Sequence, residues 1–299
     1  MQSVLVSLAV AGCLALQAWP AAAQASAQPV LDRIRASGRI TLAHRESSIP
    51  FSYVDNGKPV GYSIDLCLRA VEAVKRSLGL KRLDINYLPV TSENRLATIA
   101  TGRADLECGS TTNNAERRNL VAFTVPDYIG GARYLVRTDS PVAELPQFEG
   151  RKLVSTKGST ALQAVRHAND ERLLRIKILE ANDHAQALEW VERGEADGFA
   201  MDDVLLFGLL AAHPHPERFK VVGKLLTVEP LAIVLSKDDP AFKRIVDGEL
   251  KRIIRSREAH EIYERWFTRP IPPHHAALNM PMSYLLKDLW KYPTDDMWF

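Results

Sequence analysis

Two stretches of this chain repeat one another at a fixed distance, and that constrains its fold more than any other feature. Gly102 pairs with Gly194, an offset of 92 residues, and the same offset pairs Leu96 with Leu188, Ala104 with Ala196 and Asp105 with Asp197. Each copy reads as a helix, a Gly stop, Ala-Asp, a strand, and a polar loop that opens the next helix. The shared words are short, so the constraint holds only if they are more than coincidence. If they are, the chain folds as two similar α/β lobes. The cleft between them is then lined by strand ends and helix starts, where α/β sheets place ligands.

The rest of the sequence fits that class. Short apolar runs alternate with amphipathic stretches, the pattern of an α/β protein. Strands are expected at 40–43, 84–89, 105–108, 152–155, 175–179, 198–201 and 232–235. Helices are expected at 64–78, 95–101, 115–120, 160–168, 185–193, 204–212 and 240–256. No low-complexity linker divides the 299 residues into independent domains. A formal net charge of +2, with no basic run interleaved with aromatics, argues against nucleic acid as a partner.

Residues 1–25 read as an export signal, with an apolar run from Val4 to Leu16 and small residues around a cut near Ala23 or Ala25. Val10-Ala11-Gly12-Cys13 offers lipid attachment at Cys13 as the alternative. Two cysteines then remain, Cys67 and Cys108, which pair in an oxidising compartment or stay as two buried thiols. No Cys/His spacing suits a metal, and no cofactor is expected.

The candidate site residues stand at strand ends and helix starts. Arg45 follows a strand within AHRESSIPFSYVDNGKPVGYSIDL, residues 43–66. Ser92 reads as an N-cap, which places Arg95 in the first turn of a helix, against the helix dipole. Arg95 is then either an anion ligand or a solvated arginine paired with Glu93. Lys157-Gly158-Ser159-Thr160 forms a second candidate anion cradle, without the spacing of a nucleotide P-loop. Ser110 and Thr112 lie in a hydroxyl-rich run that Asn114 closes as a cap. At Met201-Asp202-Asp203, Asp203 suits the cap and leaves Asp202 free for an ammonium. Under the repeat, Ser92 corresponds to His184 and Ser110 to Asp202. Arg45, Arg95 and Asp202 together carry a local charge of +1, which complements an amino acid bearing a second carboxylate.

Over nearly the whole chain after the signal, these residues resemble the glutamate/aspartate branch of the periplasmic amino-acid-binding proteins of ABC importers. The words that carry the resemblance are HRESSIPFSYVDNGKPVGYS at 44–63, PVTSENR at 89–95, ECGSTTNNAER at 107–117, DH at 183–184, MDD at 201–203, KDDP at 237–240 and WFTRPIPP at 266–273. The resemblance implies a two-lobe binding-protein fold of type II. Residues 29–132 and 234–299 would form the first lobe and 133–233 the second, with hinge strands near 131–136 and 229–235. It implies that Arg45 holds a side-chain carboxylate, helped by Ser92 and His184. Arg95, Thr112 and Thr160 would hold the α-carboxylate, while Asp202 and Ser110 receive the ammonium. The ligand would be L-glutamate or L-aspartate, and the partners a membrane permease and its ATPase subunits, served by a periplasmic monomer. A sensor subunit using the same pocket is one alternative. A dehydratase-like enzyme with His184 or Glu46 as its acid or base is another. Two departures stand out: Leu231 replaces an expected aromatic, and Ile233 stands where some relatives carry a partner for Cys108, which argues against a Cys108 disulfide.

Overall fold

The computed structural model describes residues 28–295, so the expected signal segment lies outside the described residues. Two five-stranded sheets organise the chain. The first runs in the order Asp84–Pro89, Arg39–His44, Leu106–Glu107, Val234–Leu235, Ala122–Phe123. The second runs Lys177–Ala181, Lys152–Thr156, Gly198–Asp202, Ala132–Arg137, Phe219–Val222. In each, the first three strands are parallel and the fourth is antiparallel to its neighbours.

The 92-residue offset therefore has a structural counterpart. Leu106–Glu107 and Gly198–Asp202 both stand third in their sheets. Gly102 and Gly194, which stop the preceding helices, share a left-handed backbone at φ 70° and 72°.

The sheets are joined by a two-stranded ribbon in which Tyr128–Gly130 pairs antiparallel with Glu229–Leu231. The first hinge strand thus lies just before the expected 131–136, because Ala132–Arg137 is already committed to the second sheet. Strand 232–235 shortens to Val234–Leu235, because Ala232 and Ile233 bond outside the sheet, their N–H groups donating to the Thr111 carbonyl at 3.0 Å and to Thr124 Oγ1 at 3.2 Å. The strand expected at 175–179 begins at Lys177, since Arg175 adopts φ 54°, which no extended strand allows.

Helix starts follow local chemistry. Ser159, Asp183 and Asp239 each accept a backbone N–H three residues on and open the helices Thr160–Arg172, His184–Glu192 and Pro240–Arg255. Asn114 caps the short Ala115–Arg118 helix as expected. Ser92 does not cap. Asn94 precedes the Arg95–Ala100 helix, and Thr91 and Asn94 exchange side-chain and backbone bonds of 2.9 and 3.3 Å. Asp203 Oδ1 takes the Val204 N–H at 2.7 Å, whereas Asp202 makes no capping bond.

The Tyr62–Ser77 helix buries Ile64, Cys67, Ala70, Val71 and Val74, a 3.6-residue stripe, and packs on the Pro240–Arg255 helix. One residue of that stripe corrects an expectation. Cys67 is joined to Cys108 in a disulfide, with the Cα atoms 6.2 Å apart. The missing partner at Ile233 is irrelevant, because Cys108 finds its partner on this helix instead.

Beneath the ribbon, Phe51, Tyr62, Tyr128, Tyr263 and Phe267 form one aromatic cluster, with Tyr263 and Phe267 stacked at 4.3 Å between centroids. A helix at Glu258–Phe267 supplies two of these rings. Beyond it the chain returns towards the ribbon, where the Trp290 indole N–H donates to the Pro126 carbonyl at 3.1 Å. Among the described residues no helix is long and apolar enough to cross a membrane.

Candidate ligand-binding site

The lobes meet along a seam with close backbone contacts. Gly208 lies so near Ile49 that a Cβ there would stand 2.0 Å from the Ile49 carbonyl oxygen. At Gly158, which adopts φ 72°, a Cβ would stand 2.6 Å from the Ser92 oxygen. A small cavity in this seam is lined from both lobes.

Seven of the eight residues picked from the sequence line that cavity: Ser92, Arg95, Ser110, Thr112, Thr160, His184 and Asp202. Ser159, Met201 and Leu205 complete the wall. The eighth, Arg45, is not among the residues that line it. Its Nη2 lies 3.5 Å from Nε2 of His184, and its backbone N–H is fixed by Ser52 Oγ at 2.9 Å. Arg45 and Arg95 are 1% and 3% exposed, so the reading of Arg95 as a solvated partner of Glu93 does not hold.

Buried polar atoms without partners mark what this site can do. Among the described residues they include Arg45 Nη1, Arg95 Nε, Ser110 Oγ and Asp202 Oδ1. Two are cationic donors, one is an anionic acceptor and one is a hydroxyl. Natural interiors rarely leave such groups unpaired, and the set is complementary to a small ligand carrying both charge signs.

The electrostatics point the same way. Burial, then repulsion from Arg95, pushes the Arg45 guanidinium down to about 9. Burial also pulls Arg95 below its usual range, although Glu107, Asp202 and Glu229 oppose this. The Asp202 carboxyl is held well above the usual carboxylate range by burial, then by Glu229 and Asp203, against the pull of Arg95 and Arg117. His184 is held well below its ordinary value by burial, then by Arg45 and Arg95, so it is neutral. A guanidinium can only donate. Nε2 of His184 therefore accepts from Arg45, and Nδ1 carries the proton towards Thr156 Oγ1 at 2.8 Å.

Sequence reasoning assigned no role to three charged groups here. Arg117 donates to the Thr112 and Gly158 carbonyls at 3.0 and 3.1 Å. Burial, then Arg95, pushes its guanidinium down to about 10. The Glu107 carboxylate accepts from Thr111 at 2.7 Å, and Glu229 accepts from Thr112 at 2.5 Å. With Arg45, Arg95 and Asp202 these make three cations and three anions, so the charge of +1 counted from the sequence is replaced by a formally balanced site.

The chain is 40% identical over 267 residues to the L-glutamate/L-aspartate-binding protein of Pseudomonas aeruginosa, covering 89% of this chain and 88% of that protein. It is 38% identical over 271 residues to the glutamate/aspartate import solute-binding protein of Salmonella typhimurium, covering 90% of each. Among solved structures, the cysteine-binding protein of Campylobacter jejuni superposes with a TM-score of 0.69 over 80% of this chain and 92% of that one. At 22% identity that likeness shows the fold alone, a two-lobe type II amino-acid-binding fold. The profile of the bacterial extracellular solute-binding proteins, family 3, matches residues 40–269, and this chain belongs to that family.

Proposed function

We propose that this chain captures L-glutamate or L-aspartate between its lobes and hands it to the permease of an ABC-type importer. Arg45, steered by His184 and flanked by Ser92, takes the side-chain carboxylate. Arg95 takes the α-carboxylate, with Thr112 and Thr160 walling the pocket beside it, and Asp202 with Ser110 receives the ammonium. The observation that carries this reading is the set of unpartnered buried atoms on Arg45, Arg95, Ser110 and Asp202, two donors of positive charge set against an acceptor. Each carboxylate would stabilise a guanidinium that burial has weakened, and the ammonium would restore the charge of Asp202. The names of the two curated relatives support the same ligand class.

The lobes in this reading are 29–132 with 234–299, and 133–233, closing about the ribbon at Glu229–Leu231. The protein acts in the periplasm as a monomer after cleavage near Ala23 or Ala25, and it delivers its ligand without transforming it. Glu46, a candidate acid or base for an enzyme, is exposed and faces a different groove.

Calorimetric titration of ligand-stripped protein tests the assignment. Glutamate or aspartate should bind far more tightly than glutamine or asparagine, and Arg45→Ala should weaken the acids at least about 30-fold, the scale for losing one partner of a buried charge pair. A preference for the amides would refute the role of Arg45.

A further inference from the structure

Three hydroxyls converge on the carboxylate of Glu229. Its Oε2 accepts from Thr112 Oγ1 at 2.5 Å and also from Thr160 Oγ1, while Oε1 accepts from Thr227 Oγ1 at 2.7 Å. Thr227 is fixed in turn, because its oxygen accepts the Ala132 N–H at 3.0 Å. Glu229 is 2% exposed, and its backbone pairs with Gly130 in the ribbon that joins the lobes. Thr112 stands on the loop after the Leu106–Glu107 strand of the first sheet, and Thr160 opens the helix after the Lys152–Thr156 strand of the second. One carboxylate is thus tied to the hinge and to both lobes. Arg117 crosses the same seam, donating to Thr112 O on its own side and to Gly158 O on the other.

We propose that Glu229 is an inter-lobe latch: its carboxylate sets the closed population of the protein by holding the Thr112 and Thr160 hydroxyls together across the seam. A carboxylate only accepts, and each threonine hydroxyl has one proton to give. Directing both protons to a single oxygen requires both lobes in place. Turning the second lobe away about the ribbon would withdraw Thr160 and strip a buried carboxylate of a charge-assisted bond. The inference deepens the receptor reading and rests on its hinge closure, but not on the identity of the ligand. A ligand that binds only the closed form gains apparent affinity in proportion to the fraction already closed. Glu229 therefore acts on affinity through the conformation, as a positioning residue.

Small-angle X-ray scattering of the ligand-stripped full chain decides the matter. Glu229→Leu and Thr160→Val should each lower the closed population about tenfold, the scale of one charge-assisted hydrogen bond. The radius of gyration should rise accordingly, and Glu229→Gln, which keeps an accepting oxygen, should fall between. The double variant Glu229→Leu/Thr160→Val should open no further than either single one, because both remove the same tie. Thr160→Val keeps the side-chain volume and the Ser159 cap, so the test survives if Glu229→Leu fails to fold. Because Thr160 also lines the cavity, affinity is read on Glu229→Leu alone: glutamate affinity there should weaken by the same factor as the closed population, with the glutamate-to-glutamine ratio unchanged. Scattering profiles identical to wild type, or single effects that simply add, would overturn the latch. Absence of binding by any amino acid would strike the receptor reading, while the scattering result would still decide the latch.

Discussion

Nη2 of Arg45 and Nε2 of His184 lie 3.5 Å apart although 139 residues separate them in sequence. The cation of the first lobe is thereby steered by a neutral ring of the second. Charging that ring is opposed by burial and by two arginines.

The pH dependence of stability follows from this contact. The folded-state pKa of His184 lies well below its unfolded value of about 6.5. Below that value the unfolded chain binds the proton that the folded one refuses, so this contribution is present above about pH 6.5 and is lost as pH falls. One such group contributes up to about 1.4 kcal/mol per pH unit. Between pH 6.5 and 5, denaturant midpoints of His184→Gln should fall less steeply than those of wild type. Equal slopes would show that His184 takes up a proton freely in the folded protein.

Arg45→Met should stabilise the ligand-free protein while abolishing capture of the acids. The guanidinium is buried, one of its nitrogens has no partner, and Arg95 repels it. A buried charge left without full compensation costs stability, so an apolar side chain of similar volume should raise the urea midpoint. Urea unfolding of both proteins checks this, and a less stable variant would show that Glu107 and Asp183 already compensate the charge.

The disulfide closes a loop with a sequence separation of 41. Chain entropy alone assigns it about 4 kcal/mol of stabilisation. Cys67→Ala/Cys108→Ala should lose an amount of that order in guanidinium unfolding, and a reducing agent should shift wild type but not the double variant. Ligand affinity should fall as well, because Cys108 anchors the loop that presents Ser110 and Thr112.

Gly208→Ala separates helix stability from closure. Alanine favours the interior of the Asp203–Ala211 helix by about 1 kcal/mol. Its methyl group, however, would stand 2.0 Å from the Ile49 carbonyl oxygen across the seam. Glutamate affinity should fall at least about tenfold without loss of helical circular dichroism. Gly248→Ala, with no atom within 4 Å of its Cβ, should raise the thermal midpoint and leave binding unchanged.

Much of this architecture could be read from the sequence, because each α/β unit announces itself locally. Caps at Ser159, Asp183 and Asp239 and the glycine stops at 102 and 194 are short-range signals, and the elements fall within a few residues of where they are expected. Ser92 misled because Thr91 and Asn94 satisfy one another and leave its hydroxyl for the cavity. The Glu258–Phe267 helix was missed since it starts at Arg257 with φ 67° and no side-chain cap. The disulfide depends on the meeting of a helix and a strand end, which no spacing records. Glu229 and Arg117 were also missed. The signal was there in TVEPLAIV, residues 227–234, a lone acid in an otherwise apolar and uncharged run. Burial of such a residue calls for dedicated partners.

The place of the Val234–Leu235 strand carries a consequence for how the protein is made. It is wedged between Leu106–Glu107 and Ala122–Phe123, so the first sheet stays split until residue 235 has emerged. The second sheet draws all its strands from residues 132–222 and can be finished earlier. A chain threaded out from its N-terminus would therefore complete its second half before its first. For some time it would carry an open strand edge that only its own late segment can cover.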